Sequence, residues 1–207
     1  PQRKIDNALL ILLRTAAGKL SSVQAILPEP RGGRDKDFLK GGAKKGAFFV
    51  IGDLDASEVI LIAEGYATAA TLHEATGYAS VMTCDSGNLA TVTVALRALY
   101  PHPKVIVICG DNDRHTEGNP GKKAALAASK KAKVRVCLPE FPDDEEGSDF
   151  NDLAALHGLD RVWSEIESAL TGPWRPGKEG VQPIGPALMT ETVSALAEPD
   201  EERGKIP

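Results

Sequence analysis

Two apolar runs in this chain end in carboxylates. Val105-Ile106-Val107-Ile108-Cys109 leads through Gly110 to Asp111-Asn112-Asp113, and Val59-Ile60-Leu61-Ile62-Ala63 leads directly to Glu64-Gly65. A strand buried on both faces reads as such a run. The acids are therefore expected at strand C-terminal ends, where the sites of open α/β sheets lie. Alternate residues of an extended loop point to one side, so Asp111 and Asp113 can face one cation or two neighbouring ones. Mg²⁺ (or Mn²⁺) fits: Mg²⁺ takes oxygen ligands, keeps several waters and needs only one or two carboxylates beside substrate phosphate. Glu64 offers a further ligand or a general base. Gly65, lacking a Cβ, lets backbone N–H groups at a helix start approach a phosphate. The chemistry indicated is divalent-metal and phosphate chemistry. Asp53-Leu54-Asp55 has the same spacing as 111–113 but precedes the 59–63 run. That puts it at the other end of the sheet, as a turn.

These acids need a frame. The 59–63 strand is followed by a helix near 66–76, with Ala67, Ala70, Thr71 and Glu74 at helical spacing and Gly77 as its cap. A strand at 80–84 precedes a helix near 88–99, whose Leu89, Val92, Leu96 and Leu99 share a face. A strand at 104–109 leads to the acidic loop. Gly118-Asn119-Pro120-Gly121 then breaks the chain before a helix at 121–132 and a strand at 134–138. This alternation predicts βαβ units and a parallel sheet. Residues 159–170 make an amphipathic helix. Ahead of all this, 8–27 reads as two β-like runs around Ala17-Gly18-Lys19, 28–46 as a basic, glycine-rich loop, and 47–52 as a short strand. The expected organisation is a β-rich lead-in over 1–56, an α/β domain with C-terminal helices over 57–170, and a linker or tail over 171–207 with one short helix near 187–197.

Composition sets bounds. The chain has 207 residues, 42% hydrophobic and 26% charged, with a net charge of −5. That charge argues against a globally basic nucleic-acid binder but leaves room for a local basic patch. No apolar run approaches the ~18 residues of a membrane span, and no secretory signal opens the chain. A cytoplasmic protein without membrane contact is expected. The opening Pro1 points to a piece of a longer protein. Cys84, Cys109 and Cys137 form no CxxC pair, which makes a zinc ribbon here untenable. Each ends an apolar run and reads as a buried, reduced thiol. Neither GxGxxG nor GxxxxGK[ST] is present, and GxSxG is missing too, which removes the dinucleotide fingerprint, the P-loop and the α/β-hydrolase elbow.

Further candidates surround the acids. Asp149 and Asp152, in Ser148-Asp149-Phe150-Asn151-Asp152, could bind a second ion, and Asp149 also suits the N-cap of a helix over 151–157. Arg31, Arg34, Lys36, Lys40, Lys44 and Lys45 fall within the glycine-rich 31–45 stretch and could track a phosphate chain. Lys122 and Lys123 open the helix beyond the acidic loop, and Arg114 and His115 adjoin 111–113. Nucleotide phosphate is their candidate ligand; solvated surface positions are the alternative.

A strand ending in Glu64-Gly65 followed by a strand ending in Asp111-Asn112-Asp113 resembles the Toprim domain of topoisomerases and primases, over about residues 57–157. The resemblance implies a Rossmann-like parallel sheet, Glu64 as the acid/base or metal-linked carboxylate, and Asp111 and Asp113 as Mg²⁺ ligands. Ile62-Ala63-Glu64-Gly65-Tyr66-Ala67-Thr68-Ala69, Gly110–Asp113 and Ser148–Asp152 are most similar to plasmid- and phage-type DNA primases, as is Phe38-Leu39-Lys40-Gly41-Gly42. The implied activity is synthesis of short RNA primers from ribonucleoside triphosphates on a single-stranded DNA template. The implied partners are helicase, mobilisation or replication proteins. A Toprim nuclease using the same metals and a non-catalytic nucleic-acid-binding module remain the alternatives.

Overall fold

The computed structural model describes residues 7–101 and 103–172. The expected tail helix near 187–197 lies outside the described residues. Eight strands form one mixed sheet: β1 (Leu9–Thr15), β2 (Leu20–Arg31), β3 (Arg34–Phe38), β4 (Ala47–Ile51), β5 (Val59–Ala63), β6 (Ala79–Met82), β7 (Val105–Cys109) and β8 (Arg135–Cys137). Their order is β3-β2-β1-β4-β6-β5-β7-β8. Strands β6, β5, β7 and β8 run parallel, and β4 adds antiparallel to β6. The parallel core and antiparallel lead-in follow the sequence expectation, with one refinement. The lead-in is continuous with the core sheet, because β1 pairs with β4 through Arg14 and Thr15.

Five helices cover the core strands: α1 (Tyr66–Thr76), α2 (Ser86–Leu99), α3 (Pro120–Ala132), α4 (Phe150–His157) and α5 (Leu159–Thr171). Strand alternation sorts the layers. Val59, Leu61 and Ala63 pack with α1, α4 and α5 on one face. Ile60 and Ile62 pack with α2 and α3 on the other. Each fully buried Ile or Leu stabilises the fold by about 1.5–3 kcal/mol relative to exposure. Burial on both faces explains why these strands read as unbroken apolar runs. No helix among the described residues is long and apolar enough to cross a membrane.

The 28–46 segment differs from the expected loop. Strand β2 continues to Arg31, turns at Gly32 (φ +60°) and Gly33 (φ +75°), and returns as β3. Two successive positive φ values suit a two-residue hairpin turn, and glycine adopts them without strain. Pro28 and Pro30 hid the strand from the sequence reading because proline donates no ladder hydrogen bond. They sit where the β2–β3 register shifts, between Ile26 and Arg31. The cysteines also differ slightly. Cys109 and Cys137 are buried, but Cys84 is only half-buried and has φ +77°; all three are free thiols.

The topology creates a crevice. From β5 the chain passes through α1 to β6, then returns through α2 across β5 to β7. Strand order therefore reverses between β5 and β7. Ligand sites of open α/β sheets form at this reversal, outside the strand C-termini. Glu64 follows β5 there, and Asp111 follows β7 after one residue.

Candidate active site

Glu64 and Asp111 are half-buried and lack partners at one oxygen each: neither Glu64 Oε1 nor Asp111 Oδ1 has a hydrogen bond. Burial, with the charges of Asp111, Asp113 and Asp85, pushes the Glu64 carboxyl up to about 7. Burial, with Asp149, Asp113 and Asp152, pushes Asp111 up to about 7 as well, while Lys36 opposes the shift. Burial and crowding by like charges both favour the protonated form, and the opposing charge of Lys36 does not offset them at Asp111. An orphaned buried acceptor is costly unless something fills it.

Asp113 is fixed differently. Its Oδ2 accepts the Gly121 N–H at 2.8 Å, in the first turn of α3. A Cβ on Gly121 would lie 2.7 Å from the Asp111 carbonyl oxygen and 2.8 Å from Asp113 Oδ2. The missing side chain thus lets α3 start against the acidic loop. Between the two acids, Asn112 turns to the protein. Its Nδ2 donates to the Pro139 carbonyl at 3.0 Å, its Oδ1 accepts from Asn119 Nδ2 at 2.8 Å, and its backbone N–H donates to the Ser148 carbonyl at 2.6 Å. Asn119 in turn caps α3 by accepting the Lys122 N–H.

The third acidic segment arrives with α4. Asp149 caps that helix, its Oδ1 accepting the Asp152 N–H at 2.8 Å. Its Oδ2 accepts from Thr68 Oγ1, also at 2.8 Å. Asp152 reaches back to the Ser148 N–H at 2.9 Å. Asp149 is the cap expected from the sequence, and its charge bears on Asp111.

Gly65 is the N-cap of α1 with an ordinary extended conformation, φ −99°. No side chain caps this helix start. A Cβ at Gly65 would meet nothing nearer than Thr68 Oγ1 at 3.6 Å, so the fold itself does not demand glycine there. An uncapped helix start beside the acids leaves backbone N–H groups open for an anion.

The basic candidates divide. Arg114 donates from Nη1 to the Phe141 carbonyl at 2.9 Å and from Nη2 to the Glu145 carbonyl, and its guanidinium lies 5.4 Å from the Phe141 ring centre. It braces the 139–146 loop, whereas sequence reasoning gave it to phosphate. Lys44 pairs with Asp85 Oδ2 at 3.0 Å and stands 4.5 Å from the centre of the Phe38 ring. Lys40, Lys45, Lys122, Lys123 and His115 are exposed. The 53–55 pair is a turn: Asp53 Oδ1 accepts the Asp55 and Ala56 N–H groups.

Sequence reasoning missed Asp85, which caps α2 after β6 and adds its charge to Glu64. The rule used for Glu64 and Asp111, an acid just past a strand end, would have found it. Asn88 was missed too. It is buried, accepts the Gly46 N–H, and donates to the carbonyls of Lys44, Ala47 and Thr83. It thereby ties the Lys44 segment to the crevice. A buried asparagine in the first turn of a helix carries no motif to announce this.

The donor set is all oxygen, which suits Mg²⁺ or Mn²⁺. Among the described residues no three His, Cys, Asp or Glu side chains close into a ready-made cage. An open carboxylate cluster with unpartnered oxygens fits an ion that keeps several waters.

Residues 59–160 match the family model described as the Toprim domain. Those residues belong to the Toprim family. Two curated proteins named DNA primase TraC, both from Escherichia coli, are 44% and 43% identical over 117 residues, or 53% of this chain. The chain spans only 11% and 8% of those relatives' lengths. Among solved structures, a chain in the bacteriophage T7 assembly of lagging-strand DNA polymerase with primase domains of two gp4 subunits superposes with a TM-score of 0.58. It is 21% identical, over 83% of this chain and 82% of that one. The DnaG primase catalytic domain bound to ssDNA gives a TM-score of 0.56 at 16% identity, covering 80% and 53%. The Aquifex aeolicus primase gives 0.55 at 17% identity, covering 78% and 40%. At these identities the likeness shows the fold alone.

Proposed function

We propose that this chain is the catalytic Toprim module of a plasmid-type DNA primase, joining ribonucleotides on single-stranded DNA. One observation carries the reading: Glu64 and Asp111 meet at the switch point, underpartnered, inside the segment that matches the Toprim family. The identity to DNA primase TraC supports the primase branch. The division at residues 56 and 170 is retained as part of the proposal.

Asp111 and Asp113, with Asp149 and Asp152 behind them, would hold Mg²⁺ or Mn²⁺. A divalent ion bound there supplies charge neutralisation for a triphosphate and lowers the pKa of an attacking 3′-hydroxyl. Glu64, whose burial favours its protonated form, serves as acid/base or as a further ligand. The open N-terminus of α1 after Gly65, together with Lys122 and Lys123, would receive phosphate. Lys40 and Lys45 would lie along the template path. Arg114 serves by bracing its loop, and Lys44 by its pairing with Asp85. Helicase or other replication proteins are the expected partners, in a cytoplasmic setting.

The test is one gel. The protein is incubated with end-labelled single-stranded DNA and, in parallel, with unlabelled template plus labelled ribonucleotides, in Mg²⁺ or Mn²⁺. Short ribonucleotide products that vanish in Glu64→Gln and Asp111→Asn are expected. Shortened DNA that vanishes in the same variants would replace the primase with a nuclease. DNA binding without either product, and indifferent to Glu64, would indicate a non-catalytic binding module.

A further inference from the structure

Two threonines of α1 reach across to the start of α4. Thr68 Oγ1 donates to Asp149 Oδ2 at 2.8 Å, and Thr71 Oγ1 donates to Asn151 Oδ1 at 3.0 Å. Both threonines are buried, Thr68 at 2% exposure, and each bond joins residues at least 80 positions apart. Helix α1 begins immediately after Glu64-Gly65, so this latch ties the first acidic motif to the third. Asp149 has few other ways to be held. Its Oδ1 serves the α4 cap, which leaves Oδ2 to set the rotation of the carboxylate.

We infer that Thr68 is a positioning residue, which aims the free lone pairs of Asp149 at the carboxylate cluster through its hydroxyl bond to Oδ2. This rests on the proposed metal site and deepens it. A carboxylate oxygen has two lone pairs, so the bond from Thr68 occupies one and leaves the other for a cation. The hydroxyl cannot be replaced by packing alone: valine has the same shape but gives Oδ2 no donor. Thr71 plays the parallel part for Asn151 and keeps the two helix ends in register. Groups that orient a metal ligand in this way are typically worth about 10–100-fold in metal affinity.

The test reads metal binding and uses the full chain. Mn²⁺ is titrated into the protein and the free ion followed by electron paramagnetic resonance. Wild type, Thr68→Val, Thr68→Ser, Asp149→Asn and the Thr68→Val/Asp149→Asn pair are compared well below their melting temperatures. Thr68→Val should bind Mn²⁺ about tenfold more weakly, and Thr68→Ser should bind as wild type does. The double variant should be no weaker than Asp149→Asn alone, because both substitutions break one interaction. Wild-type affinity in Thr68→Val, or losses that add in the double variant, would overturn the inference while leaving the metal site standing. Failure of wild type to bind Mn²⁺ would remove the metal site, and this inference with it.

Discussion

Asp113 accepts a backbone hydrogen bond from Gly121 at 2.8 Å, and Gly121 sits where no side chain fits. Sequence separates the two by eight residues; structure makes them one joint between the acidic loop and α3. Gly121→Ala would drive a methyl into the Asp111 backbone and force α3 off the loop. Overpacking of this kind costs about 1–3 kcal/mol. The expected result is a lowered melting temperature together with weaker Mn²⁺ binding. If both match wild type in calorimetry and titration, the joint does not hold the loop.

Proton uptake should link stability to pH. Glu64 and Asp111 lie near 7 in the folded protein, against 4.5 and 3.8 for unperturbed groups. A raised carboxyl contributes stability that is present in acid and lost as pH rises through the folded value. Metal-free protein should therefore lose melting temperature between about pH 4 and 7, and Mg²⁺ should restore it at pH 8. Asp111→Asn should raise the metal-free melting temperature at pH 8 by about 2–4 °C, the shift expected for about 1 kcal/mol in a chain of this size. Both groups are partly exposed, so solvent screening keeps the effect this small. Scanning calorimetry in EDTA decides: equal slopes against pH in wild type and Asp111→Asn would contradict it.

How much of this was legible beforehand depended on whether a residue's signal was local. The runs 59–63 and 105–109 announced buried strands, and the acids beyond them needed no partner to be recognised. Asp149 was readable as a cap from its own neighbourhood. Thr68 was not readable as its partner, because the bond spans 81 positions and a helical threonine looks like any other. The phosphate reading of Arg114 rests on its neighbours 111–113, which are in view, while Phe141 and Glu145 approach only through the fold. The hairpin over 31–34 was obscured by Pro28 and Pro30, whose usual meaning is the end of a strand.

Arg114 yields a prediction that separates bracing from phosphate binding. Its guanidinium holds the carbonyls of Phe141 and Glu145, and Glu145 also pairs with His157 at 2.6 Å. Arg114→Gln should expose the 139–147 segment to limited proteolysis at unchanged protease concentration. Affinity for ribonucleoside triphosphate should fall no further than in Lys122→Gln. A variant that keeps its protection but loses nucleotide binding would return Arg114 to the phosphate.

The basic hairpin makes the last prediction. Lys36 lies on β3, at the far edge of the sheet order from β7, yet its charge bears on Asp111. Lys36 thus stands on the crevice side of the β2–β3 hairpin, and Arg31 and Arg34, paired across its turn, extend the same basic strip as a candidate path for a strand leading to the acids. Each cation that neutralises a phosphate of single-stranded DNA should add about 0.7 to the slope of log affinity against log salt. Arg31→Gln, Arg34→Gln and Lys36→Gln together should weaken binding of oligothymidylate and flatten that slope by about two. These side chains are exposed, so the melting temperature should hold. Fluorescence anisotropy at several salt concentrations measures both quantities. An unchanged slope would mean that the template runs elsewhere, with the single substitutions Lys40→Gln and Lys122→Gln then distinguishing the turn after β3 from the start of α3.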